Sequence, residues 1–403
     1  MNPVTLNDIN DAASLLNGII RETPTISAGW INKMHNLDVR FKCENLQRAG
    51  SFKIRGAYNR IARLTDEERA RGVVAASAGN HAQGVALAAQ LLGIKATVFM
   101  PNGAPLPKLQ ATRGYGADVQ FHGTTIDEAL IAAGEFAQET GAIFIHPFDH
   151  EHIVAGQGTM GLEILAQNPD VKTVVVCTGG GGLVAGTALA IKSLRPDVKV
   201  IGVQAAEAAA YPPSLAAGAP QKLAKMNTMA DGIAVGRPGD IPFELIRDHV
   251  DEIITVSEAS LSRALLLTLE RSKMMVEAAG IAAVAAILDN PTHFEGPVVA
   301  SLSGGNIDPL LLTRVMRTGL AASGRFFMLQ VRIHDVPGSL ATLLTEVGKT
   351  GANVVQVSHT RIDPQLAVSE VDVDLELETR GFDHRQDVLQ YLTDHGFNIV
   401  TSY

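Results

Sequence analysis

The chain has 403 residues, of which 46% are hydrophobic and 19% are charged. A chain of this length is too long for one compact core, so two or three domains are expected. The formal net charge of −9 at pH 7 argues against a nucleic-acid surface and against binding to an anionic membrane, since both attract basic patches. Small molecules are therefore the expected partners.

The cysteines and the hydrophobic runs bear on the compartment. The only cysteines, Cys43 and Cys177, are far apart in sequence, which indicates neither a disulfide framework nor a zinc site and fits a reducing cytoplasm. The N-terminus has no basic start followed by an apolar run, and the longest apolar run, at 278–288, is too short to span a bilayer. We therefore expect a soluble, cytoplasmic protein.

Short β-branched runs alternate with longer Ala- and Leu-rich runs through most of the chain. Helical patterns such as those at 125–140 and 183–194 separate the runs that resemble strands. The predicted strands lie at 39–44, 72–77, 95–101, 118–123 and 142–147, and then at 171–178, 198–204, 252–257 and 297–303. This alternation predicts βαβ units and mostly parallel sheets in two α/β blocks.

The pattern changes near residue 320. The stretch at 317–325 is small, polar and without periodicity, which is typical of a linker. The order predicted for residues 326–403 is βαββαβ, a small split-βαβ sandwich. Between 371 and 377, valine or leucine alternates with aspartate or glutamate, so one face of this strand is apolar and the other is a row of acids. A half-solvated sheet accounts fully for that row.

Three glycine-rich turns follow predicted strands, which is the usual place for ligands in open α/β sheets. They lie at 77–84, 179–186 and 301–308. In the first turn, the backbone N–H groups of residues 77–81 could wrap an anion at the start of a helix. The four successive glycines of the second turn suit one terminal phosphate at a helix N-terminus. Turns that need positive φ explain any one of these loops, but explain less well all three in a chain that also carries the segment SFKIRG at 51–56.

The lysine of that segment, Lys53, follows Phe52 directly. A solvated helix lysine is the ordinary explanation of a single lysine. A lysine, a phosphate-binding loop, a nest for a carboxylate and a serine-bearing turn in one chain together suggest pyridoxal phosphate held as a Schiff base.

Six segments, in the same order, closely resemble those of the threonine dehydratase (threonine ammonia-lyase) and serine racemase family, which has the tryptophan-synthase-β type of fold, fold type II. They are ENLQRAGSFKIRGAYN, SAGNHAQGVALAA, AGQGTMGLEI, GGGGLVAG, TMADGIAV and SGGNID. The resemblance covers roughly residues 5 to 320, and several linked motifs are far more specific than one. It implies two α/β domains, a large one that binds pyridoxal 5′-phosphate, at 1–46 and 150–320, and a small one at 47–149.

The resemblance also implies roles for individual residues. Lys53, with Phe52 beside it, would bind the cofactor covalently; when the substrate amine displaces it, its free amine would remove the Cα proton. Asn80 would hydrogen-bond the ring hydroxyl of the cofactor, and Ser303 would face its pyridine nitrogen. The residues expected at the phosphate are Gly179, Gly180, Gly181, Gly182 and Leu183. The residues expected at the substrate carboxylate are Ser77, Gly79, Asn80 and His81, with no acid–base role for the His81 ring.

The residue types favour elimination over other reactions of this cofactor. A desolvated lysine suits the role of base because burial lowers its pKa. The hydroxyl of Ser303 can share a hydrogen bond with the ring nitrogen but cannot keep it protonated as a carboxylate would, so electron withdrawal is mild and prompt loss of the β-hydroxyl is favoured. The expected activity is conversion of threonine to 2-oxobutanoate and ammonia, and of serine to pyruvate and ammonia.

The tail, with HDVPGSLATLL and GANVVQVSHTR, resembles an ACT domain, a regulatory module that senses amino acids, at 326–403. The resemblance implies allosteric control by an amino acid, isoleucine or valine first, near Gly338 and Asn353, and a place in isoleucine biosynthesis. Ordinary turn chemistry is the alternative explanation of these two residues. Strand edges of such a module commonly pair with a second copy, so a homodimer or homotetramer is expected.

Two alternatives remain. One is a serine racemase or a 3-hydroxyaspartate dehydratase of the same fold, and the other is an amino-acid sensor without catalysis. In racemases of the family, the corresponding segment resembles SSGNH, and its second serine delivers a proton. This chain has Ala78 at that position, so racemisation is expected to be slow. The metal-binding carboxylates of those racemases are replaced by Gln204 and Ala210, so no metal is expected. The intact set of Lys53 and its partners argues against the sensor.

Overall fold

The computed structural model describes residues 4–361 and 366–402 of the chain. Its internal contacts divide the chain into two compact units, Met1–Leu311 and Leu312–Tyr403. The first unit contains a six-stranded sheet and a four-stranded sheet, and the second contains another four-stranded sheet. No helix within the described ranges is long and apolar enough to cross a membrane.

Ten strands of the first unit form its two sheets. They are β1 (Thr25–Ser27), β2 (Val39–Lys42), β3 (Val73–Ala76), β4 (Ala96–Met100), β5 (Asp118–Phe121), β6 (Ile143–Phe144), β7 (Thr173–Cys177), β8 (Lys199–Ala205), β9 (Glu252–Val256) and β10 (Val298–Ser301). The six-stranded sheet has the order β1-β2-β10-β7-β8-β9, with β1 antiparallel to β2 and all other pairs parallel. The four-stranded sheet is parallel throughout, in the order β5-β4-β3-β6.

Helices follow most of these strands. They are α1 (Leu6–Leu16), α2 (Gly29–His35), α3 (Lys53–Ala62), α4 (Asp66–Arg71), α5 (Asn80–Leu92), α6 (Leu106–Gly114), α7 (Ile126–Thr140), α8 (Glu151–Gln167), α9 (Gly182–Leu194), α10 (Tyr211–Ala217), α11 (Asp240–His249), α12 (Glu258–Ser272) and α13 (Ala282–Asp289). Short 3-10 helices lie at Glu44–Leu46, Arg48–Gly50, Ala206–Ala208, Asp231–Ile233 and Pro291–His293. Threonine N-caps with an acid three residues later begin α1, α4 and α7, as the capping-box pattern predicts.

The prediction of strands alternating with helices is confirmed, since each of the nine predicted strands overlaps an observed one. Strands β3, β4, β7 and β10 are buried at every residue. Continuous valine and alanine runs are expected for parallel strands that helices cover on both faces. The short edge strand β1 was not predicted.

Small residues allow the helices around α8 to approach closely. A Cβ added at Gly156 would lie 2.6 Å from the carbonyl oxygen of Arg55 in α3. A Cβ added at Gly186 in α9 would lie 2.7 Å from the backbone nitrogen of Gly158 in α8. The segment AGQGTMGLEI therefore serves packing, because its glycines let α8 contact both α3 and α9.

A buried cluster of charges joins β2, α3 and α8. Arg55 is fully buried, and its guanidinium donates to Glu44 at 2.8 Å and to Glu163 at 2.6 and 2.8 Å. Lys42, also fully buried, donates to Glu163 at 2.5 Å. Burial opposes both charged forms, but attraction between the partners prevails, so the pKa of Arg55 is raised and the pKa of Glu44 is lowered. Arg55 lies two residues after Lys53, the first residue of α3, so the cluster fixes the start of this helix.

The second unit is built on an antiparallel sheet. Its elements are α14 (Pro309–Ala322), β11 (Phe326–His334), α15 (Ser339–Lys349), β12 (Asn353–Thr360), β13 (Glu370–Glu378), α16 (Phe382–Asp394) and β14 (Asn398–Ser402). The sheet has the order β12-β13-β11-β14. The order βαββαβ after α14 is as predicted, and the alternating apolar residues of β13 are buried. The acidic face is not simply solvated, because Asp372 is 3% exposed and pairs with Arg332 at 2.8 Å.

The prediction of a linker at 317–325 is wrong for residues 317–322. Residues 317–322 continue helix α14, which begins at Pro309. Val315 and Gly319, four residues apart and therefore on one face of the helix, are its buried positions. A glycine at a buried helix position hid the periodicity, since it adds no hydrophobic side chain to the pattern.

The buried cluster generates a prediction about stability. Substitution of Arg55 by methionine is expected to lower the free energy of unfolding by about 3–5 kcal/mol, because it leaves Glu44 as a buried charge without its partner. The measurement is urea unfolding followed by circular dichroism at pH 7. The control is Arg247→Met, which removes an exposed guanidinium paired with its neighbour Asp248 and should leave the midpoint unchanged. Equal midpoints for both variants would contradict a structural role of the cluster.

Candidate active site

Lys53 is the first residue of α3 and lies against the segment that follows β6. Its Nζ donates to the carbonyl oxygen of Pro147 at 2.9 Å and lies 5.2 Å from the centre of the Phe52 ring. Burial lowers the pKa of Lys53 to about 8, although the carboxylate of Glu277 opposes this change. A Cβ added at Gly84 in α5 would lie 3.1 Å from Lys53, so the lysine also contacts the helix that follows the first glycine-rich turn.

The second glycine-rich turn joins β7 to α9 and is tightly enclosed. Gly181 has φ of +101°, a conformation that favours glycine. The ring of Phe148 covers Gly180, where an added Cβ would lie 2.5 Å from three ring carbons. Tyr211 lies behind the turn, and its Oη donates to the carbonyl oxygen of Gly180 at 3.1 Å. Because Phe148 follows Pro147, one segment contacts both Lys53 and this turn.

The backbone donors of the second turn are unused. Within the described residues, the N–H groups from Gly179 to Leu183 donate to no acceptor at hydrogen-bond distance. They include the first N–H groups of α9, which have no partner inside the helix. Such a set of free donors at a helix N-terminus is suited to a phosphate group.

The first turn, between β3 and α5, offers a second and smaller set of donors. Its residue Ser77 uses its own N–H on the carbonyl oxygen of Phe99 at 3.1 Å, and its Oγ accepts from Gly79 at 3.1 Å. In the part of the chain that the structure describes, the N–H groups of Ala78, Asn80 and His81 have no acceptor. These three donors face outward at the N-terminus of α5, where an anion is favoured.

The ring of His81 is turned away from that role. It is 4% exposed, and its Nε2 donates to the carbonyl oxygen of Ile145 at 2.8 Å. Burial lowers the pKa of His81 to about 3, and the nearby charge of Lys53 adds to the effect. The ring is therefore neutral near pH 7, and only the backbone of His81 belongs to the turn.

Both polar atoms of the Asn80 side chain are hydrogen-bonded. Its Nδ2 donates to Glu277 Oε1 at 2.5 Å, and its Oδ1 accepts from Asn306 Nδ2 at 2.9 Å. Asn306 also donates to the carbonyl oxygen of Ala49 at 2.7 Å, in the short 3-10 helix Arg48–Gly50 before Lys53. The orientation of the Asn80 amide is fixed before any ligand binds.

Two residues of this network, Glu277 and Asn306, were missed from the sequence. Glu277 is 3% exposed, and burial raises its pKa to about 7, although the ammonium of Lys108 opposes the rise. In the sequence, Glu277 stands out only as a single acid directly before the longest apolar run, at 278–288. Asn306 belongs to the segment SGGNID, in which the sequence predicts a role only for Ser303.

Ser303 lies in the third turn, directly beside the segment that carries Lys53. The carbonyl oxygen of Ser303 accepts from the N–H of Phe52 at 3.2 Å, and Ser51 forms a β-bridge with Gly304. Ser303 is 4% exposed, at the end of β10 in the six-stranded sheet. The first turn therefore contacts Lys53 through Gly84, and the third turn contacts the two residues before Lys53. The second turn is linked to Lys53 through residues 147–148.

The remaining positions predicted from the sequence lie elsewhere. Gly338, with φ of +96°, precedes α15 in the second unit, and an added Cβ there would meet open space. Asn353 is exposed at the start of β12, where its Nδ2 donates to Glu378 at 3.4 Å. Gln204 and Ala210 are fully buried, and Gln204 accepts from the N–H of Tyr211 at 2.9 Å. Across residues 4–361 and 366–402, no group of three or more His, Cys, Asp or Glu side chains is arranged to hold a metal ion.

Comparison with known proteins identifies the family. The family model described as "Pyridoxal-phosphate dependent enzyme" matches residues 16–304. L-threonine ammonia-lyase of Thermotoga maritima is 46% identical, covering 98% of this chain and 99% of its own, and that of Geobacter sulfurreducens is 45% identical, covering 98% of both. Among solved structures, the processed form of threonine deaminase isoform 2 from Solanum lycopersicum has a TM-score of 0.75 and 35% identity, covering 79% of this chain and 95% of its own. Maize serine racemase has a TM-score of 0.74 and 35% identity, and the match covers 79% of this chain and 98% of the racemase chain. The chain therefore belongs to the pyridoxal-phosphate dependent enzymes.

Proposed function

We propose that the chain is a threonine ammonia-lyase, which eliminates the β-hydroxyl of L-threonine, and of L-serine. The products would be 2-oxobutanoate or pyruvate, with ammonia. The observation that carries the proposal is Lys53, whose pKa is lowered, together with two turns that have unused backbone donors. One turn contacts Lys53 through Gly84, and the other is linked to it through residues 147–148. The names of relatives that are 45% and 46% identical over 98% of the chain support this reaction class.

The residues around Lys53 fit pyridoxal phosphate. The free N–H groups from Gly179 to Leu183 would hold the phosphate, in a turn whose four glycines contribute no side chains of their own. Lys53 would bind the aldehyde carbon covalently, the amide of Asn80 would face the ring hydroxyl, and Ser303 would face the pyridine nitrogen. When bound, the cofactor withdraws electrons from Cα of the amino acid, which makes the Cα proton acidic and allows the β-substituent to leave.

Lys53 has the properties of the base. With the cofactor and the substrate bound, the free Nζ of Lys53 would take the Cα proton. With a pKa of about 8, a substantial fraction of this amine is neutral near pH 8, whereas an ordinary lysine amine would be almost wholly protonated. The water lost from Cα and Cβ is returned when the C–N bond is hydrolysed, so the net change is release of ammonia.

We propose that the first turn holds the substrate carboxylate. The free N–H groups of Ala78, Asn80 and His81 at the N-terminus of α5, with the hydroxyl of Ser77, would bind it. At Gly79, an added Cβ would be in ordinary contact with Lys108 Nζ, at 3.7 Å. A carboxylate bound there fixes which face of Cα is presented to Lys53.

The same turn bears on the alternative of a serine racemase, which the likeness to maize serine racemase supports at the level of the fold. Ala78 has no hydroxyl to deliver a proton to the opposite face of Cα. We therefore place elimination first and racemisation second.

We further propose that residues 326–403 are an ACT domain. The βαββαβ order, with α15 and α16 packed against the antiparallel sheet, supports this assignment. The open backbone at Gly338 and the exposed amide of Asn353 would meet an amino-acid effector, with isoleucine or valine first by analogy. The free edges of β12 and β14 in the described chain suit pairing with a second copy in a homodimer or homotetramer.

We also propose that residues 1–320 form two domains. The six-stranded sheet would belong to a large domain formed by 1–46 and 150–320, and the parallel four-stranded sheet would belong to a small domain formed by 47–149. Each sheet has its own helices, which supports this division.

The proposed reaction is tested with the purified protein and L-threonine. We expect formation of 2-oxobutanoate and of equal ammonia, and expect Lys53→Ala to lower the rate at least about 1,000-fold, because both cofactor attachment and the base are lost. The matched control is Lys172→Ala, which removes an exposed lysine paired with Glu295 and should leave the rate unchanged. With L-serine as substrate, D-serine formed without pyruvate would favour the racemase instead.

The pKa values predict a pH dependence. Only the neutral amine of Lys53 accepts a proton, so kcat should rise with pH and level off above about pH 8. The carboxylate of Glu277 stabilises the Lys53 ammonium, so Glu277→Gln should move the midpoint to lower pH. The measurement is kcat against pH for both proteins, with Glu295→Gln, at an exposed position, as the control. A midpoint that stays in place or moves to higher pH in Glu277→Gln would show that another group limits kcat.

The proposed regulation is tested with a panel of amino acids, isoleucine and valine first. We expect one of them to change the threonine concentration that gives half-maximal rate. Asn353→Ala should weaken the response to the amino acid about tenfold, because a hydrogen bond to the ligand is lost. The rate measured without any effector should be unchanged. Asn398→Ala, at the start of β14, is the matched control. A full-length protein that responds to no amino acid would leave the tail a role in assembly only.

A further inference from the structure

A buried lysine lies beside the first turn and has no part in the chemistry described so far. Lys108 is the third residue of α6 and is 6% exposed. Its Nζ donates to Asp231 Oδ2 at 2.6 Å, in the 3-10 helix Asp231–Ile233. The carboxylate of Asp231 is about half exposed, so water screens much of its charge. An ammonium is rarely buried this deeply unless its hydrogen bonds are satisfied.

The hydrogen bonds of Lys108 are only partly satisfied. An ammonium has three N–H donors. Among the residues that the structure describes, Asp231 is its one hydrogen-bond partner. Two donors of a buried cation are therefore left for an acceptor that the folded chain does not supply.

These donors lie next to the free N–H groups of the first turn. A Cβ added at Gly79 would have Lys108 Nζ as its nearest atom, at 3.7 Å. The positive charge therefore faces the N-terminus of α5, where the helix dipole is also positive and the N–H groups of Ala78, Asn80 and His81 have no acceptor. Such an arrangement is unfavourable when empty and becomes favourable when an anion lies between the ammonium and the turn.

We propose that Lys108 binds the substrate carboxylate together with the backbone of the first turn. Asp231 holds the ammonium at the edge of the site and competes with the carboxylate for it. The inference rests on the proposed function, because the anion is taken to be the carboxylate of the amino-acid substrate. It makes Lys108 a determinant of specificity for a free α-carboxylate over an amide, an ester or a peptide.

The proposal differs from a purely structural salt bridge in what the two partners do. If the pair only ties α6 to the helix at 231–233, removal of either charge has the same effect. If Lys108 binds substrate, loss of the ammonium weakens binding, whereas loss of the Asp231 charge removes a competitor for it. The two single variants therefore separate the explanations.

The first experiment compares KM and kcat for L-threonine in Lys108→Met and Asp231→Asn, with Lys172→Met as the control at an exposed lysine. We expect Lys108→Met to raise KM about 10- to 100-fold with a smaller change in kcat, as for loss of a charged hydrogen bond. Asp231→Asn, whose amide oxygen still accepts from Lys108, should lower KM or leave it unchanged. An equal rise in KM for both variants, or no rise in Lys108→Met, overturns the proposal.

The second experiment replaces the charge on the ligand. L-threoninamide keeps the amine and the hydroxyl but lacks the carboxylate. The unmodified protein should bind threonine more tightly than threoninamide, and Lys108→Met should lose about 10-fold or more of this preference. An equal weakening of both ligands would mean that the variant disturbs the site as a whole, and would count against the proposal.

Binding is also measured without turnover, which separates failure of this inference from failure of the proposed function. L-alanine has the amine and the carboxylate but no leaving group, and its binding is followed by the change in visible absorbance of the bound cofactor. If the protein binds alanine but eliminates nothing from threonine, the proposed reaction fails while the role of Lys108 is still decided. Alanine affinity unchanged in Lys108→Met overturns the inference even where elimination is confirmed.

Discussion

The rest of the structure depends on the burial of one guanidinium, that of Arg55. A charge with no exposure to water is tolerated only when carboxylates meet it with good geometry, and here Glu44 and Glu163 do so from two different elements. The requirement ties α8 and the 3-10 helix Glu44–Leu46, which follows β2, to α3 at a single point. Since Lys53 begins α3 two residues earlier, the same constraint decides where its amine lies. Breaking one partner would cost more than the whole cluster contributes, so the arrangement acts mainly to specify position.

The site itself combines few formal charges with many oriented donors. Two helix N-termini, those of α5 and α9, present free backbone N–H groups, which attract anions without bringing a counter-ion into a dry site. The ionisable groups among them are tuned by burial in opposite directions. The pKa of Lys53 is lowered to about 8 and the pKa of Glu277 is raised to about 7, so both groups can change protonation near neutral pH. A chain that moves a proton from carbon needs groups poised in this range.

Close helix packing connects these features. The glycines of α8 allow α3 and α9 to approach it, so the helix that carries Lys53 and the helix that begins with the glycine loop share one neighbour. Packing of this kind leaves little freedom for α3 to shift relative to α9. The distance between Lys53 and the second glycine-rich turn is therefore set by the protein core and not by the surface loops.

The amino-acid sequence by itself determined the alternation of strands and helices and the three turns at strand ends, and it singled out Lys53 as a candidate. These features are local, since periodicity, glycine runs and short motifs are properties of neighbouring residues. The extent of α14 was misjudged for the same reason, because Gly319 breaks the apolar pattern although tertiary packing buries it. Only the tertiary structure revealed Glu277, Asn306 and Lys108 at the site. Each comes from a segment distant in sequence, and its pKa, its unused donors or its hydrogen bonds depend on what surrounds it after folding.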